Sequence, residues 1–486
     1  MNGLVDLLAG FRVYVVGALA VLLAGIACGH AILYKRDSRA AVGWVGLIIL
    51  APIVGALLYA MLGINRIRRH ASELRAPTLR LSGPHTVARR ADAALTGCLS
   101  DEAHHLVALG RLVDRVSRRP LTIGNRVRAL INGDEAFPAM LEAIGRAERS
   151  VALSTYIFAR DSAGQQFAEA LAHAVQRGVE VRVLIDGVGS RYSFPSMVGA
   201  LKKLGIRVAR FMPTYVPWRA PFWNLRNHRK ILVTDGRLGF TGGMNIRRGH
   251  VRSFNPVRVV QDMHFAVDGP VVQQCMETFA EDWAFTTGEL LEGPDWFPEI
   301  ESAGTIAARG ITDGPDEDFE KLRWTIHGAI ASARHSVHVM TPYFLPDDAL
   351  VTALNIAALR GVTIQVVLPA VNNLPIVHWA SRALLWQLVK RSCEVYYTPP
   401  PFDHTKLFIV DGTWTLFGSA NWDPRSLRLN FEFNVECYDA AFAAEMELIF
   451  ADKRDAGRRV TPAELDGRSL PVRLRDGVAR LLTPYL

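Results

Sequence analysis

Cysteine is scarce in this sequence, and the few cysteines present are not closely paired. They are Cys28, Cys98, Cys275, Cys393 and Cys437, an odd number without any CxxC pair. A disulfide framework or a structural zinc site needs closely spaced pairs, so neither is expected. We therefore predict reduced thiols that face a reducing compartment, and no bound metal.

The sequence also lacks a dense block of lysine and arginine, although basic residues are in excess overall. The formal net charge is +8 at pH 7. Such a balance suits an anionic partner, either a nucleic acid or a negatively charged lipid surface. The missing basic block argues against a nucleic acid, although the charge alone would permit one.

Two long apolar runs are present near the N-terminus. Residues 11–33 and 41–64 are each close to the ~20 residues that a bilayer-crossing helix needs, and the polar segment 35–39 joins them. We predict a two-helix transmembrane hairpin within residues 1–70, in which Pro52 is tolerated. A cleaved signal peptide is the rival interpretation of the first run, but its charged start is weak and a second run follows at once.

Basic residues follow each apolar run. They are Lys35, Arg36 and Arg39 after the first run, and Arg66, Arg68, Arg69 and Arg75 after the second. The larger excess after the second run predicts that the rest of the chain lies on the cytoplasmic side. Reduced cysteines agree with that side.

From about residue 121 the chain repeats itself at low similarity. Helical stretches alternate with short β-branched runs, and SVALSTYIF around Tyr156 corresponds to SVHVMTPYF around Tyr343. This alternation predicts an α/β fold made of two similar halves, 121–300 and 301–486, related by a pseudo-two-fold axis around a shared site. Residues 71–120 are expected to be a polar linker with helical pieces.

Each half carries the same polar signature at the same spacing. The first copy is His228, Lys230 and Asp235, then Gly243 and Asn245; the second is His404, Lys406 and Asp411, then Ser419 and Asn421. On a strand, residues two apart share a face, so each His and its Lys point the same way. The Asp-Gly turn then returns the next strand and brings the Asn beside them.

Two such sets facing each other suit a phosphodiester. Lysine and asparagine donate to phosphate oxygens without a metal, and we group Asn245, Asn421, Ser419 and Gly243 as candidate phosphate ligands. One imidazole can attack phosphorus while the other protonates the leaving alcohol. The motif aspartates complete the catalytic group, although capping of the turn explains them at least as well.

A further pair of carboxylates falls at comparable places in the two halves. Asp262 lies in QDMHF and Glu432 in NFEFN. A carboxylate behind each imidazole would hold its tautomer and stabilise its charged state. The alternative is an ordinary surface charge.

These residues resemble the phospholipase D superfamily, whose duplicated signature is H-x-K-x4-D. Within it the chain is most similar to the bacterial cardiolipin synthases, through the N-terminal hairpin ending in GINRIRR and the residues around both motifs. The resemblance implies that two phosphatidylglycerol molecules give cardiolipin and glycerol without a cofactor, at the bacterial inner membrane. It implies His228 as the nucleophile and His404 as the acid and base, although the residues alone leave either histidine eligible.

Two further segments have the composition of membrane-surface elements. Residues 211–226 combine aromatics, prolines and arginines, and 375–390 could form an amphipathic helix. Packing between the halves is the alternative for both. Rival functions are a hydrolase or a transphosphatidylase with another alcohol, a nuclease, and a silent membrane scaffold.

Overall fold

The computed structural model describes residues 2–35, 38–63, 95–213, 225–254, 258–316 and 318–483. The four arginines after the second apolar run and most of the aromatic segment 211–226 lie outside these residues. The chain divides into two compact units. One contains the N-terminal helices up to residue 63, and the other contains the described residues from 95 onward.

The helices are α1 (Asn2–Tyr34), α2 (Ser38–Leu50), α3 (Pro52–Leu58), α4 (Val107–Ser117), α5 (Asn132–Arg146), α6 (Ser162–Gln176), α7 (Met197–Lys203), α8 (Val271–Thr287), α9 (Lys321–Ser332), α10 (Asp348–Leu359), α11 (Pro375–Leu384), α12 (Trp386–Val389), α13 (Ala440–Asp455), α14 (Pro462–Asp466) and α15 (Leu470–Leu481). The strands are β1 (Thr122–Ile131), β2 (Ser150–Thr155), β3 (Glu180–Asp186), β4 (Arg207–Phe211), β5 (Arg226–Asn227), β6 (Ile231–Thr234), β7 (Leu238–Gly242), β8 (Met263–Asp268), β9 (Ile306–Asp313), β10 (Ser336–Met340), β11 (Thr363–Pro369), β12 (Glu394–Thr398), β13 (Leu407–Val410), β14 (Trp414–Gly418), β15 (Asn430–Tyr438) and β16 (Arg458–Arg459).

The first apolar run is a long helix, whereas the second is broken. Among the described residues, one helix is long and apolar enough to cross a membrane, with its apolar span at Tyr14–Tyr34. The second run consists of α2, a non-helical residue at Ala51, and α3, which a π-helical turn at Tyr59–Gly63 continues. Pro52 lacks an N–H and begins the new helix at its first position, where none is needed. This finding corrects the expectation of one continuous helix over 41–64.

In the second unit, the described strands form one continuous sheet. Its order is β16-β12-β11-β10-β13-β14-β15-β9-β1-β8-β7-β6-β2-β3-β4, and β5 pairs with β15 outside this path. The antiparallel pair β9 and β1 lies at the centre. Outward from β1 the order is β8, β7, β6, β2, β3, β4, and outward from β9 it is β15, β14, β13, β10, β11, β12. The repeat in the sequence is therefore a repeat of half a sheet, which gives the α/β fold its two similar halves.

The two halves also share a hydrophobic core. One buried cluster takes residues from both sides of the central pair, including Phe265 of β8 and Phe417 of β14, whose rings stack with centroids 3.8 Å apart. Continuous pairing and a common core make the halves one folded body rather than two independent domains.

The segment before the first half is packed into that body. Leu106, Leu109 and Val113, at the start of α4 and along it, are buried in the same cluster as Leu322 and Ile326 of α9. This part of the expected linker therefore contributes to the core of the second half.

The segment 375–390 forms α11 and α12. The inner face of α11, at Val377, Ala380 and Leu384, packs in one cluster with Leu345 and with Ala479 of α15. Its apolar face is therefore covered by the C-terminal helix.

Candidate active site

Each motif histidine lies just before an interior strand of the sheet and is held there by a backbone hydrogen bond. His228 precedes β6, and its N–H donates to the carbonyl of Phe431 on β15 (2.9 Å). His404 precedes β13, and its N–H donates to the carbonyl of Gln261 (2.7 Å). In each case the anchoring strand segment belongs to the other half, so both histidines depend on the junction between the halves.

A polar residue before each histidine shapes the approach to the strand. The side chain of Asn227 accepts a hydrogen bond from the N–H of Arg229 (3.1 Å), and Asp403 accepts one from the N–H of Thr405 (2.9 Å). Both form the local turn that Asn and Asp favour. Sequence reasoning missed these two residues, although the signal was there as an Asn or Asp immediately before each histidine.

The two imidazoles are oriented by carboxylates in a crossed arrangement. The Nδ1 atom of His228 lies 2.9 Å from the carboxylate of Glu432 in the second half. The Nδ1 atom of His404 lies 2.8 Å from the carboxylate of Asp262 in the first half. A carboxylate at Nδ1 leaves Nε2 as the atom that faces a reactant.

The hydrogen bonds and charges around Glu432 favour its ionised form. Ser419 Oγ donates to one oxygen and Asn430 Nδ2 donates to the other at 3.0 Å. Burial would raise the pKa of Glu432, but the interaction with His228, the charge of Lys230 and the Ser419 hydrogen bond bring it down to about 2. Ser419, which we expected to bind phosphate, is thus placed behind the histidine.

The Asp262 carboxylate has a different setting. Its first oxygen accepts the N–H of Met263 (2.8 Å). In the first half, the position equivalent to Ser419 is Gly243. A Cβ at Gly243 would come within 2.3 Å of the Asp262 carboxylate, so no side chain fits there. Burial raises the pKa of Asp262, so the two histidines do not have equivalent partners.

The two motif lysines are buried beside the imidazoles. Lys230 Nζ donates to the carbonyl of His228 (2.5 Å), and Lys406 Nζ lies 2.8 Å from Nδ1 of His404 and also contacts the His404 carbonyl. Burial is the main cause that lowers the pKa of Lys230 to about 7 and of Lys406 to about 8. A bound anion would restore their charge, which is the behaviour of a phosphate site.

The polar sets of the two halves act on each other electrostatically. Burial lowers the pKa of His228, and both motif lysines lower it further. Burial, followed by the charges of Lys406, Lys230 and His228, lowers the pKa of His404 well below its ordinary value. These shifts agree with the crossed carboxylate contacts, which place both polar sets at the junction between the halves.

The two asparagines are buried in this region with different bonding. Asn245 accepts from the N–H of Ile157 (3.1 Å), and its amide nitrogen has no partner among the described residues. Asn421 Nδ2 donates to Ser426 Oγ (3.2 Å). Of the two amides, Asn245 therefore keeps its donor for a ligand.

The motif aspartates are at the far ends of the strands from the imidazoles. Asp235 accepts the N–H groups of Glu148, Arg149 and Ser150 at a left-handed turn. In the second half, Asp411 accepts hydrogen bonds from the equivalent N–H groups, those of Arg334, His335 and Ser336. It also lies 2.7 Å from Nε2 of His105. Each carboxylate thus joins its turn to the start of β2 or β10, which is the capping role that the sequence also allowed. A part for these aspartates in the chemistry stays a prediction.

Two tyrosines lie against the imidazoles. The ring of Tyr156 meets that of His228 edge-on (5.4 Å between centroids), and Tyr343 meets His404 in the same way (5.9 Å). Lys230 Nζ also lies over the Tyr156 ring. Sequence reasoning used these tyrosines to align the repeat but did not assign them to the site.

The chain is similar to proteins of one family along almost its whole length. A family model described as cardiolipin synthase, phospholipase D-like domain, matches residues 140–283 and 326–454, and one described as phospholipase D-nuclease N-terminal matches 21–63. The chain is 31% identical over 461 residues to a cardiolipin synthase of Geobacillus kaustophilus, covering 93% of this chain and 90% of that protein. It is 31% identical over 474 residues to cardiolipin synthase A of Pseudomonas fluorescens, covering 96% and 97%.

A solved structure shares the fold. Phosphatidylserine synthase of Haemophilus influenzae matches with a TM-score of 0.57 at 15% identity, covering 78% of this chain and 100% of that one. The duplicated sheet, the paired motifs and the length of the sequence match agree. This chain therefore belongs to the cardiolipin synthases, phosphatidyltransferases of the phospholipase D superfamily.

Proposed function

We propose that the protein transfers a phosphatidyl group from one phosphatidylglycerol molecule to a hydroxyl of a second, releasing glycerol, through a phosphohistidine. The observation that supports this most directly is the pair of largely buried imidazoles, each with a carboxylate from the other half at Nδ1 and with its own motif lysine in contact. Such a site can bind one phosphodiester and act on it from both sides.

His228 is the nucleophile in this proposal. Its Nδ1–H donates to Glu432, which leaves the Nε2 lone pair to attack phosphorus. The attack makes the ring cationic, and Glu432, with its pKa held near 2, is the better of the two carboxylates to stabilise that charge. Asp262 is less suited because burial raises its pKa.

His404 completes both transfers. In the first step the bond from phosphorus to the glycerol oxygen breaks, and that oxygen takes a proton from Nε2 of His404. In the second step His404 removes the proton from the incoming hydroxyl, whose oxygen displaces His228 from phosphorus. Lys230 and Lys406 neutralise the phosphoryl oxygens, and Asn245 donates a hydrogen bond to one of them. The negative phosphodiester raises the pKa of His404 so that it holds the first proton.

The membrane setting follows from the same proposal. The substrate is a membrane lipid, the N-terminal unit has a helix long and apolar enough to cross a bilayer, and the named relatives are bacterial. We place the protein in the bacterial cell membrane, with the catalytic unit in the cytoplasm.

The test uses the full-length enzyme in phosphatidylglycerol vesicles. Mass spectrometry of the lipids should show cardiolipin and an equal amount of free glycerol, with the same products when phosphatidylethanolamine is added. Phosphatidic acid without cardiolipin would show that water, not a lipid hydroxyl, resolves the intermediate. A product joining phosphatidylethanolamine to the phosphatidyl group would show another acceptor.

The intermediate is tested separately by acid quenching. Lipid phosphate should be trapped on the peptide that contains His228, and it should be missing from the His228→Ala protein. Label on His404 instead would reverse the two roles while leaving the overall reaction intact.

A further inference from the structure

A hydrogen bond inside the N-terminal unit fixes how its helices fold. Nδ1 of His30, near the end of α1, lies 2.8 Å from the hydroxyl of Tyr59. The Tyr59 ring also packs edge-on against Trp44 of α2, with centroids 5.3 Å apart. Tyr59 is only 1% exposed. The last turns of α1, the middle of α2 and the residue after α3 therefore lie at the same level.

A hairpin of two complete spans cannot make these contacts. His30 lies only a few residues before the connection at 35–38, so it must be near the membrane face where that connection lies. In a continuous second helix, the 21 steps from Ser38 to Tyr59 would carry Tyr59 about 30 Å away, to the other face. The observed contact requires that the chain turns back after α2.

The turn is at Ala51 and Pro52, and the two short helices pack directly on each other. A Cβ on Gly55 would come within 2.6 Å of the carbonyl oxygen of Leu47, so only glycine permits the approach. Ile48 and Ala56 are buried in the same small cluster as Ala31 of α1. With 13 residues, α2 spans about 20 Å, less than the ~30 Å apolar thickness of a bilayer.

The tip of this pair is apolar and exposed. Ile49 is 66% exposed, Leu50 86% and Val54 58%. Apolar surface of this extent at a hairpin tip suits lipid acyl chains. At the turn the N–H of Ala51 donates to the carbonyl of Leu47, and the N–H of Gly55 donates to the carbonyl of Ala51, so these backbone groups enter the bilayer paired.

We propose that α2 and α3 form a re-entrant hairpin that enters and leaves the bilayer at one face, while α1 crosses it. The N-terminal end of α1 then lies outside the cell, and the chain continues from residue 63 on the cytoplasmic side. The protein is anchored by one crossing helix and a lipid-embedded wedge in the inner leaflet.

The distribution of charge along the sequence also supports this arrangement. Basic residues precede the hairpin at 35–39 and follow it at 66–75, whereas residues 1–13 contain only Arg12. In the re-entrant arrangement both basic groups lie on one face, where anionic lipids and the positive-inside preference place them. Two complete spans would put these groups on opposite faces.

The first experiment locates the two ends of the full-length protein. A short epitope tag is added at the N-terminus in one version and at the C-terminus in another, and spheroplasts are treated with an impermeant protease. The N-terminal tag should be cut in intact spheroplasts, and the C-terminal tag only after lysis. Both tags on one face, or the N-terminal tag inside, would overturn the proposal. Lipid product formation checks that both proteins are folded.

The second experiment tests whether the tip is in lipid. An Ala51→Cys variant, in a chain with Cys28→Ala and Cys98→Ser, is labelled with a small fluorophore; Cys275, Cys393 and Cys437 are buried. In vesicles, nitroxides deep in the acyl chains should quench it more than headgroup nitroxides. The matched Ser38→Cys variant should show the reverse order. Quenching of the fluorophore at position 51 mainly by headgroup nitroxides would overturn the proposal, since the hairpin would then lie on the surface.

Discussion

At the residue scale, we expect Glu432 to be important for turnover although it contacts His228 rather than the substrate. Glu432→Gln keeps the size but removes the charge that stabilises the imidazolium. We expect kcat to fall about 100-fold or more, because residues that orient and charge-stabilise a catalytic group have effects of this size. The measurement is steady-state cardiolipin formation, with trapping of the intermediate.

A substitution at Ser419 should weaken the same Glu432 carboxylate to a smaller degree. Ser419→Ala removes one hydrogen bond to Glu432, and we expect a loss of about 10-fold, since one such bond contributes about 1.5 kcal/mol. The exposed Glu445→Gln on α13 is the control and should leave kcat unchanged. A Ser419→Ala effect confined to KM would contradict the assignment and return Ser419 to phosphate binding.

The lysines predict a pH dependence. Burial lowers the pKa of Lys230 to about 7 and of Lys406 to about 8, so the free enzyme loses ammonium charge as the pH rises through this range. Phosphate oxygens need the protonated form, and kcat/KM should therefore fall above about pH 7 to 8. The fall in kcat should occur at a higher pH than the fall in kcat/KM, because a bound phosphodiester favours the charged form of each lysine.

The profile is measured in mixed micelles with phosphatidylglycerol. Lys203→Ala, at an exposed position on α7, should not move the fall in kcat/KM. A kcat/KM that stays level to about pH 10, where an ordinary lysine titrates, would mean that neither lysine is desolvated in the working enzyme.

At the element scale, the motif aspartates should behave as parts of a turn. Asp235→Ala leaves three N–H groups without their carboxylate acceptor, and the one of Ser150 is part-buried. We expect the free energy of unfolding to fall by about 2 kcal/mol or more, while kcat of the folded fraction changes less than for Glu432→Gln. Thermal unfolding and activity are measured together, with Asp452→Ala as the exposed control. Full stability with lost activity would restore Asp235 to the chemistry.

Much of this element-level arrangement could be predicted from the sequence, because it rests on local periodicity. Alternation places His228 and Lys230 together on the lead into β6, and the Asp-Gly turn returns β7 as expected. The crossed pairing was not predictable. Asp262 lies just before β8 and Glu432 lies in the equivalent strand β15. Only the antiparallel junction of β1 with β9 decides which imidazole each carboxylate meets.

The second apolar run shows another limit of sequence reasoning. Length and hydropathy alone favour a full span over 41–64, because Pro52 and Gly55 are both tolerated in membrane helices. The fold of the run depends on contacts between residues that are not neighbours on one helix, namely the Tyr59 hydroxyl with His30 of α1 and the Gly55 backbone with Leu47 across the turn. Spacing within the run does not reveal these contacts.

At the scale of the whole molecule, the crossed carboxylates make each half depend on the other. A first half alone would present His228 without Glu432, and a second half alone would present His404 without Asp262. The shared core adds a structural reason, since Phe265 and Phe417 stack across the junction. We therefore expect no detectable turnover from either half expressed separately.

Expression of the two halves together should restore activity where neither suffices. The chain is divided in the loop between α8 and β9, and the N-terminal unit is kept on the first half so that the complex reaches the membrane. Pairing of β1 with β9 can then rebuild the site, and the product is again cardiolipin. Pairing a His228→Ala first half with an unaltered second half is the control and should stay inactive. Turnover by a single half would mean that one imidazole, without the carboxylate of the other half, is enough for the chemistry.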